Sequence, residues 1–418
     1  MQVVVKSSSM VQSTVYRILF AISFVHLLND SMQSVVPAIF PILAKSMHLS
    51  YVQLGWIAFA LSMTSSIMQP VVGWYTDKRS SPYMLPFGMG LSLIGMLGLA
   101  YAPSFPSVLL SVVFIGLGSA SFHPEGSRVA YMAAGVKRGL AQSIYQVGGN
   151  AGQSLAPIMT ALIFVPLGQF GSIWFTFVAA LAVLVLLYVS AWYSQQLVYF
   201  PKVSKTKQTK EFNGEKQKKI TFAILLLIFL VFARSWYSAG ISNYYQFYLI
   251  NHYGLSIKNA QYYIFVFLAS GVLGTFLGGP LADRFGKRTM ILFSMLGAAP
   301  FALLLPHVSL FWVYPIFLIL GFIILSSFSV TVVYAQELIP GKIGTVSGLI
   351  VGLAFGMGAI GSVLLGKLAD VYGLNFTMML CSFLPVIGIL TIFLPSDRKL
   401  KQWEAEGNTQ QGTPNSHI

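Results

Sequence analysis

The chain is built from apolar runs about 20 residues long, each closed by a cluster of charge, Pro, Gly or Asn. They fall near 16–40, 52–76, 84–102, 105–130, 140–165, 171–193, 220–249, 260–282, 289–306, 310–337, 345–367 and 374–395. A helix needs about 20 mostly apolar residues to cross a bilayer. Twelve such runs predict an all-α membrane protein with twelve transmembrane helices. Composition agrees: 56% of residues are hydrophobic and only 9% are charged, against about 25% charged in soluble domains. The chain is too rich in Phe, Tyr and aliphatic residues to stay disordered. A β-barrel is excluded as well, because barrel strands alternate and run for only about 10 residues.

Lys and Arg set the orientation of such a chain. With the N-terminus inside, 20 of them fall in inner loops and tails, and only Lys45, Lys258 and Lys367 fall outside. This predicts a multi-pass protein of a bacterial inner membrane with both termini cytoplasmic. The net charge of +14 then belongs to loops beside anionic lipid, not to a nucleic-acid surface. The first run is too long for a cleavable signal, is interrupted by Asn29-Asp30, and has no small-residue cleavage site after it. It is expected to remain. The single cysteine, Cys381, cannot form an intrachain disulfide or a Cys-based zinc site.

Residues 194–219 form the one long polar connector and carry seven lysines. They divide the chain into a six-helix bundle over 1–193, a basic cytoplasmic linker over 194–219, a second bundle over 220–395 and a tail over 396–418. The linker reads as a solvated joint, with a lipid-sensing role as the alternative. The halves repeat. Leu49-Ser50, Gly73 and Asp77 recur as Leu255-Ser256, Gly279 and Asp283 at one common offset. Two parallel repeats around a central cavity suit a secondary transporter.

The stretch Gly279-Pro280-Leu281-Ala282-Asp283-Arg284-Phe285-Gly286-Lys287-Arg288 resembles the loop signature of the major facilitator superfamily. The first-half copy keeps Gly73, Asp77 and Lys78 but lacks the later glycine. The resemblance implies that these residues form gating loops, with Asp77 and Asp283 holding the cytoplasmic side closed through helix N-termini and basic partners. Five further segments are similar to the fosmidomycin-resistance family of drug exporters. They are His26–Ser34, Gln69–Gly73, Phe122–Ala130, Ala141–Asn150 and Tyr334–Leu338. That resemblance implies proton-coupled efflux of a small phosphonate antibiotic.

Charge inside a membrane is costly and needs a partner or a task. Asp30 lies mid-span, and His26, four residues earlier, shares its face. The pair reads as a proton-exchange site or as a structural anchor between helices. Glu125 and Arg128 share a face and read as a relay at the inner mouth or as a local ion pair. His123 points elsewhere. Arg234 lies as deep in the seventh run as Asp30 lies in the first. The two are therefore expected to face each other across the cavity, with Arg234 holding an anion through its planar fork. Gln146, Asn150, Asn243 and Tyr244 are further candidate lining residues, although an aromatic run such as Trp236–Tyr248 is more often packing. Glu337 is as readily a structural cap as a proton group.

No phosphate loop, nucleophile–base pair, metal-ligand cluster or cofactor motif stands out. The expected protein is a monomeric transporter of a small anionic or amphiphilic molecule. It is not an enzyme, uses no cofactor, and is driven by the proton gradient. The alternatives are uptake of a metabolite anion, or a membrane sensor that moves nothing.

Overall fold

The structure is a computed structural model that describes residues 13–78, 81–135, 138–197, 214–339 and 343–409. The described residues form helices and contain no strand. Ten stretches are long and apolar enough to cross a membrane. One of them, Ile144–Gln196, runs for 53 residues through a Gly168 at φ +62°. Ile343–Tyr372 is a further helix of 30 residues. The linker expected over 194–219 lies mostly outside the described residues.

Small residues decide how closely these helices approach. On the Arg138–Met159 helix, Gly148 and Gly152 face the backbone carbonyls of Ser23 and Leu27. A side chain at either position would overlap that backbone. This contact presses the helix against Tyr16–Ala38 and sets the spacing on which the candidate site depends. Between them, a Cβ added at Gly149 would lie 2.5 Å from His26 Nε2 and 2.9 Å from Asp30 Oδ2. Gly149→Ala should therefore lower stability by about 1–3 kcal/mol, the usual cost of overpacking. Gly152→Ala should cost at least as much, because backbone cannot swing aside. Thermal unfolding of the purified variants checks this; two unchanged midpoints would contradict the packing.

One apolar core joins residues from both sides of the linker, including Ile18, Phe122, Tyr244 and Phe317. A second lies within the C-terminal portion and includes Leu227, Met295 and Tyr334. Hydrogen bonds between the portions cluster at the end remote from the termini. Asp370 accepts from the backbone N–H groups of Tyr51 and Val52, both at 2.8 Å. Gln246 and Gln261 donate to the carbonyls of Pro37 and Ala38 at 2.8 and 3.1 Å. Pro37 sits at the end of its helix, where carbonyls lack intrahelical donors, and the two amides satisfy them.

Regular α-helix is interrupted at three places that no Pro or Gly cluster marks out. Gly240–Tyr245 is π-helical, as are Thr160–Phe164 and Phe293–Gly297. Within the first of these, Asn243 and Tyr244 both reach Ser362, through its hydroxyl and its carbonyl respectively.

Candidate functional site

Asp30 is buried, 4% exposed, yet it borders a cavity of about 180 Å³. Gln33, Gln69, His123, Gln153 and Asn243 also line that cavity, so both portions of the chain contribute. Polar groups surround the carboxylate. Asn29 Nδ2 donates to Oδ1 and Gln153 Nε2 donates to Oδ2, both at 2.9 Å. His123 Nε2 stands 3.4 Å from Oδ1, and His26 Nε2 stands 3.5 Å from Oδ2.

The backbone fixes how both imidazoles are presented. A carbonyl can only accept, so the nitrogen facing it carries hydrogen. His26 Nδ1 donates to the Tyr145 carbonyl at 2.8 Å, and His123 Nδ1 donates to the Ser119 carbonyl at 3.0 Å. Each ring therefore turns Nε2 toward Asp30. With both rings neutral, two lone pairs would point at a carboxylate. A proton held in the cluster, on one imidazole or on the carboxylate, supplies a donor and relieves one of these contacts. The ligand atoms of His26, Asp30 and His123 lie within 4.8 Å of one another, and this is the place among the described residues where a metal ion could be held.

Sequence reasoning named His26 and Asp30 but missed His123 and Gln153. His123, expected to point away from Glu125, faces Asp30 of another helix. Gln153 continues the face of Gln146 and Asn150 at helical spacing. Gln146 itself is exposed and Asn150 half-buried; neither lines this cavity.

Glu125 and Arg128 meet at 3.2 Å. Tyr193 donates to Glu125 at 2.9 Å, and Arg128 donates to the Thr76 carbonyl at 3.1 Å. This network ties three helices together, separately from the Asp30 group. Asn243 lines the Asp30 cavity and donates to Ser362 Oγ at 2.7 Å. Tyr244 is fully buried and bonds the carbonyls of Ser362 and Tyr51, which places it in the closure between portions. Tyr237, Tyr245 and Tyr248 are buried packing residues.

The expected encounter of Asp30 with Arg234 does not occur. Arg234 donates to Ser327 Oγ at 2.9 Å and Thr331 Oγ1 at 3.4 Å and covers the Phe328 ring at 5.5 Å. The space beside it is about 10 Å³. Equal depth does not fix direction around a helix. The repeat maps Asp30 to Trp236, and two residues correspond to about 200° of rotation, which puts Arg234 on the opposite face.

The gating-loop expectation is also altered. Gly286 turns the chain at φ +92° into the helix beginning at Lys287. The carboxylate at that N-terminus is Asp397, which accepts from the N–H groups of Lys287 and Arg288 at 2.9 and 3.3 Å. Asp283 is exposed and is not the capping group. Lys287 pairs with Glu337 at 2.9 Å. Arg284 lies over Phe285 at 5.3 Å, and Gly279 has open space around its Cα. A Cβ added at Gly73 would lie 3.7 Å from Pro124 Cβ, an ordinary van der Waals contact. The side chains of Asp77 and Lys78 lie outside the described residues.

A polytopic helical protein, with a buried ionisable cluster beside a cavity shared by both portions, has the build of a membrane transporter. The chain belongs to the major facilitator superfamily: the family model, Major Facilitator Superfamily, matches residues 19–353. It is 61% identical over 394 residues to the uncharacterized MFS-type transporter YfnC of Bacillus subtilis (strain 168), covering 94% of this chain and 96% of that one. It is 48% identical over 385 residues to the fosmidomycin resistance protein of Escherichia coli (strain K12), covering 92% and 94%. Its fold is similar to the crystal structure of a bacterial homolog of the human lysosomal transporter Spinster. The TM-score is 0.74 at 16% identity, covering 93% of this chain and 99% of that one.

Proposed function

We propose that this transporter exports small anionic or amphiphilic drugs, phosphonates of the fosmidomycin kind among them, in exchange for protons across the bacterial inner membrane. The observation that carries the reading is the Asp30–His26–His123 cluster at the edge of the shared cavity. A carboxylate and two imidazoles that can gain or lose protons sit where a substrate would stand. The 48% identical fosmidomycin resistance protein supports efflux as the direction. Arg234, a buried cation, is the candidate partner for the anion, reached once the helices rearrange.

In this reading the chain makes twelve spans in two repeats. Ile144–Gln196 counts as two spans divided near Gly168, and Ile343–Tyr372 supplies another. The termini are cytoplasmic, so the contact-rich remote end is periplasmic and closed. Alternating access then requires those contacts to break. Asp370 is the clearest latch, because its carboxylate caps the N-terminus of Tyr51–Lys78 from another helix. Loss of such a cap costs about 1 kcal/mol, or about fivefold in an equilibrium. Asp370→Ala should shift the population toward the periplasm-open form by that factor. Distances between spin labels on Lys45 and Lys367 report the shift; an unchanged distribution would remove Asp370 from the latch.

The transport reading is tested in everted membrane vesicles, with uptake of a phosphonate antibiotic driven by an imposed proton gradient. Gradient-dependent accumulation supports export by exchange. Accumulation indifferent to the gradient, or none, contradicts it.

A further inference from the structure

Away from the cavity, at the end of the molecule that bears the C-terminal helix Asp397–Thr409, lies an open hollow of about 550 Å³. Its rim carries Lys218, Lys219, Arg288 and Lys399, and its walls include Phe222 and Trp403. Four cations converge there. Glu215 takes Lys219 at 2.7 Å. Asp397 is engaged by the backbone N–H groups of Lys287 and Arg288, and Glu337 by Lys287. Arg288 gives its side-chain N–H groups to the carbonyls of Thr391 and Ile392. Lys399 lies over the Trp403 ring at 5.7 Å. Lys218 is exposed and forms no ion pair among the described residues.

We infer that this hollow binds the phosphate headgroup of an anionic phospholipid. The apolar surface below it distinguishes a lipid from a soluble anion. Phe222, Leu225 and Phe229 share one helical face and are exposed, as are Ile389, Ile392 and Phe393 on the neighbouring segment. On a membrane chain such a wall faces acyl tails. It runs directly up to the basic rim, so one molecule can place its chains on the wall and its phosphate among the cations. Lysine stems can lie on the apolar surface while their ammonium groups reach the headgroup. Basic pockets of this kind, at the edge of a membrane bundle, suit acidic headgroups.

The test uses the purified full chain in neutral detergent. Native mass spectrometry titrates phosphatidylglycerol, phosphatidylcholine of the same acyl chains, and inorganic phosphate. Phosphatidylglycerol should bind at least tenfold more tightly than phosphatidylcholine. Lys218→Gln/Lys399→Gln should weaken phosphatidylglycerol binding roughly thirtyfold, at about 1 kcal/mol per basic group, and leave phosphatidylcholine unchanged. Lys218→Gln alone, at an exposed position, should lose part of that factor and guards against misfolding of the double variant. Equal affinity for the two lipids, phosphatidylglycerol binding undiminished in both variants, or phosphate competing as strongly as the lipid would overturn the inference. None of these readings involves transport, so the outcome stands apart from that of the exchange mechanism.

Discussion

Asp30→Asn should abolish substrate-driven proton movement while passive exchange of substrate continues. The substitution keeps the size of the side chain and an oxygen that can accept from either Asn29 or Gln153, whose amides both donate to the carboxylate, but it removes the group that balances two imidazoles. Removing one partner from a buried ion pair commonly costs about 3–5 kcal/mol when the other charge is stranded. Here an imidazole that carries the extra proton can shed it and become neutral, so the fold should survive. Neutral imidazoles beside an amide then have no carboxylate to hold a charge against, and a pH gradient should no longer drive uphill transport. Proton-sensitive dye in reconstituted vesicles measures this directly. Wild-type coupling in the variant would move the role to Glu125 or elsewhere. His123→Gln should weaken coupling less, because His26 still faces the carboxylate.

Arg234→Gln should lower affinity for an anionic substrate by roughly one to two powers of ten. A charge-assisted hydrogen bond contributes about 1.5–3 kcal/mol, which corresponds to that range. Arg234 is 5% exposed and meets hydroxyls and an aromatic face, with no carboxylate within ion-pair distance among the described residues. A buried cation held only by neutral groups is poorly compensated. Its replacement should therefore leave the midpoint of unfolding unchanged or raise it. Arg234→Lys should fall between, since the charge remains and the planar fork is lost. Equilibrium binding of a phosphonate to purified variants decides the matter; unchanged affinity in Arg234→Gln would make Arg234 a structural residue. Because Arg234 and Asp30 do not touch, the effects of Arg234→Gln and Asp30→Asn on stability should add.

Most of the helical architecture was legible because bilayer thickness imposes a length on apolar runs. The first run, expected at 16–40, is the helix Tyr16–Ala38, and that expected at 105–130 is Phe105–Ala133. The π-helical turn at Gly240–Tyr245 was not legible, since it follows from packing and carries no signature of composition. Within the site, spacing on one helix worked and contact between helices did not. His26 and Asp30 are four residues apart, so their meeting could be read directly. His123 reaches Asp30 from the Phe105–Ala133 helix, and Gln153 reaches it from Arg138–Met159. Only tertiary packing brings those helices together. Asp397 and Asp370 were missed for the same reason: each caps a helix remote in sequence.

Exchange of substrate for protons is read from the direction of proton movement when substrate alone supplies the gradient. Purified wild-type protein is reconstituted in vesicles loaded with substrate and diluted into substrate-free buffer at equal pH on both sides. The mechanism predicts that substrate leaving the vesicles draws protons in, acidifying the lumen, and that Asp30→Asn shows no such change. Protons moving out together with the substrate, or substrate efflux with no proton movement in the wild type, would contradict it.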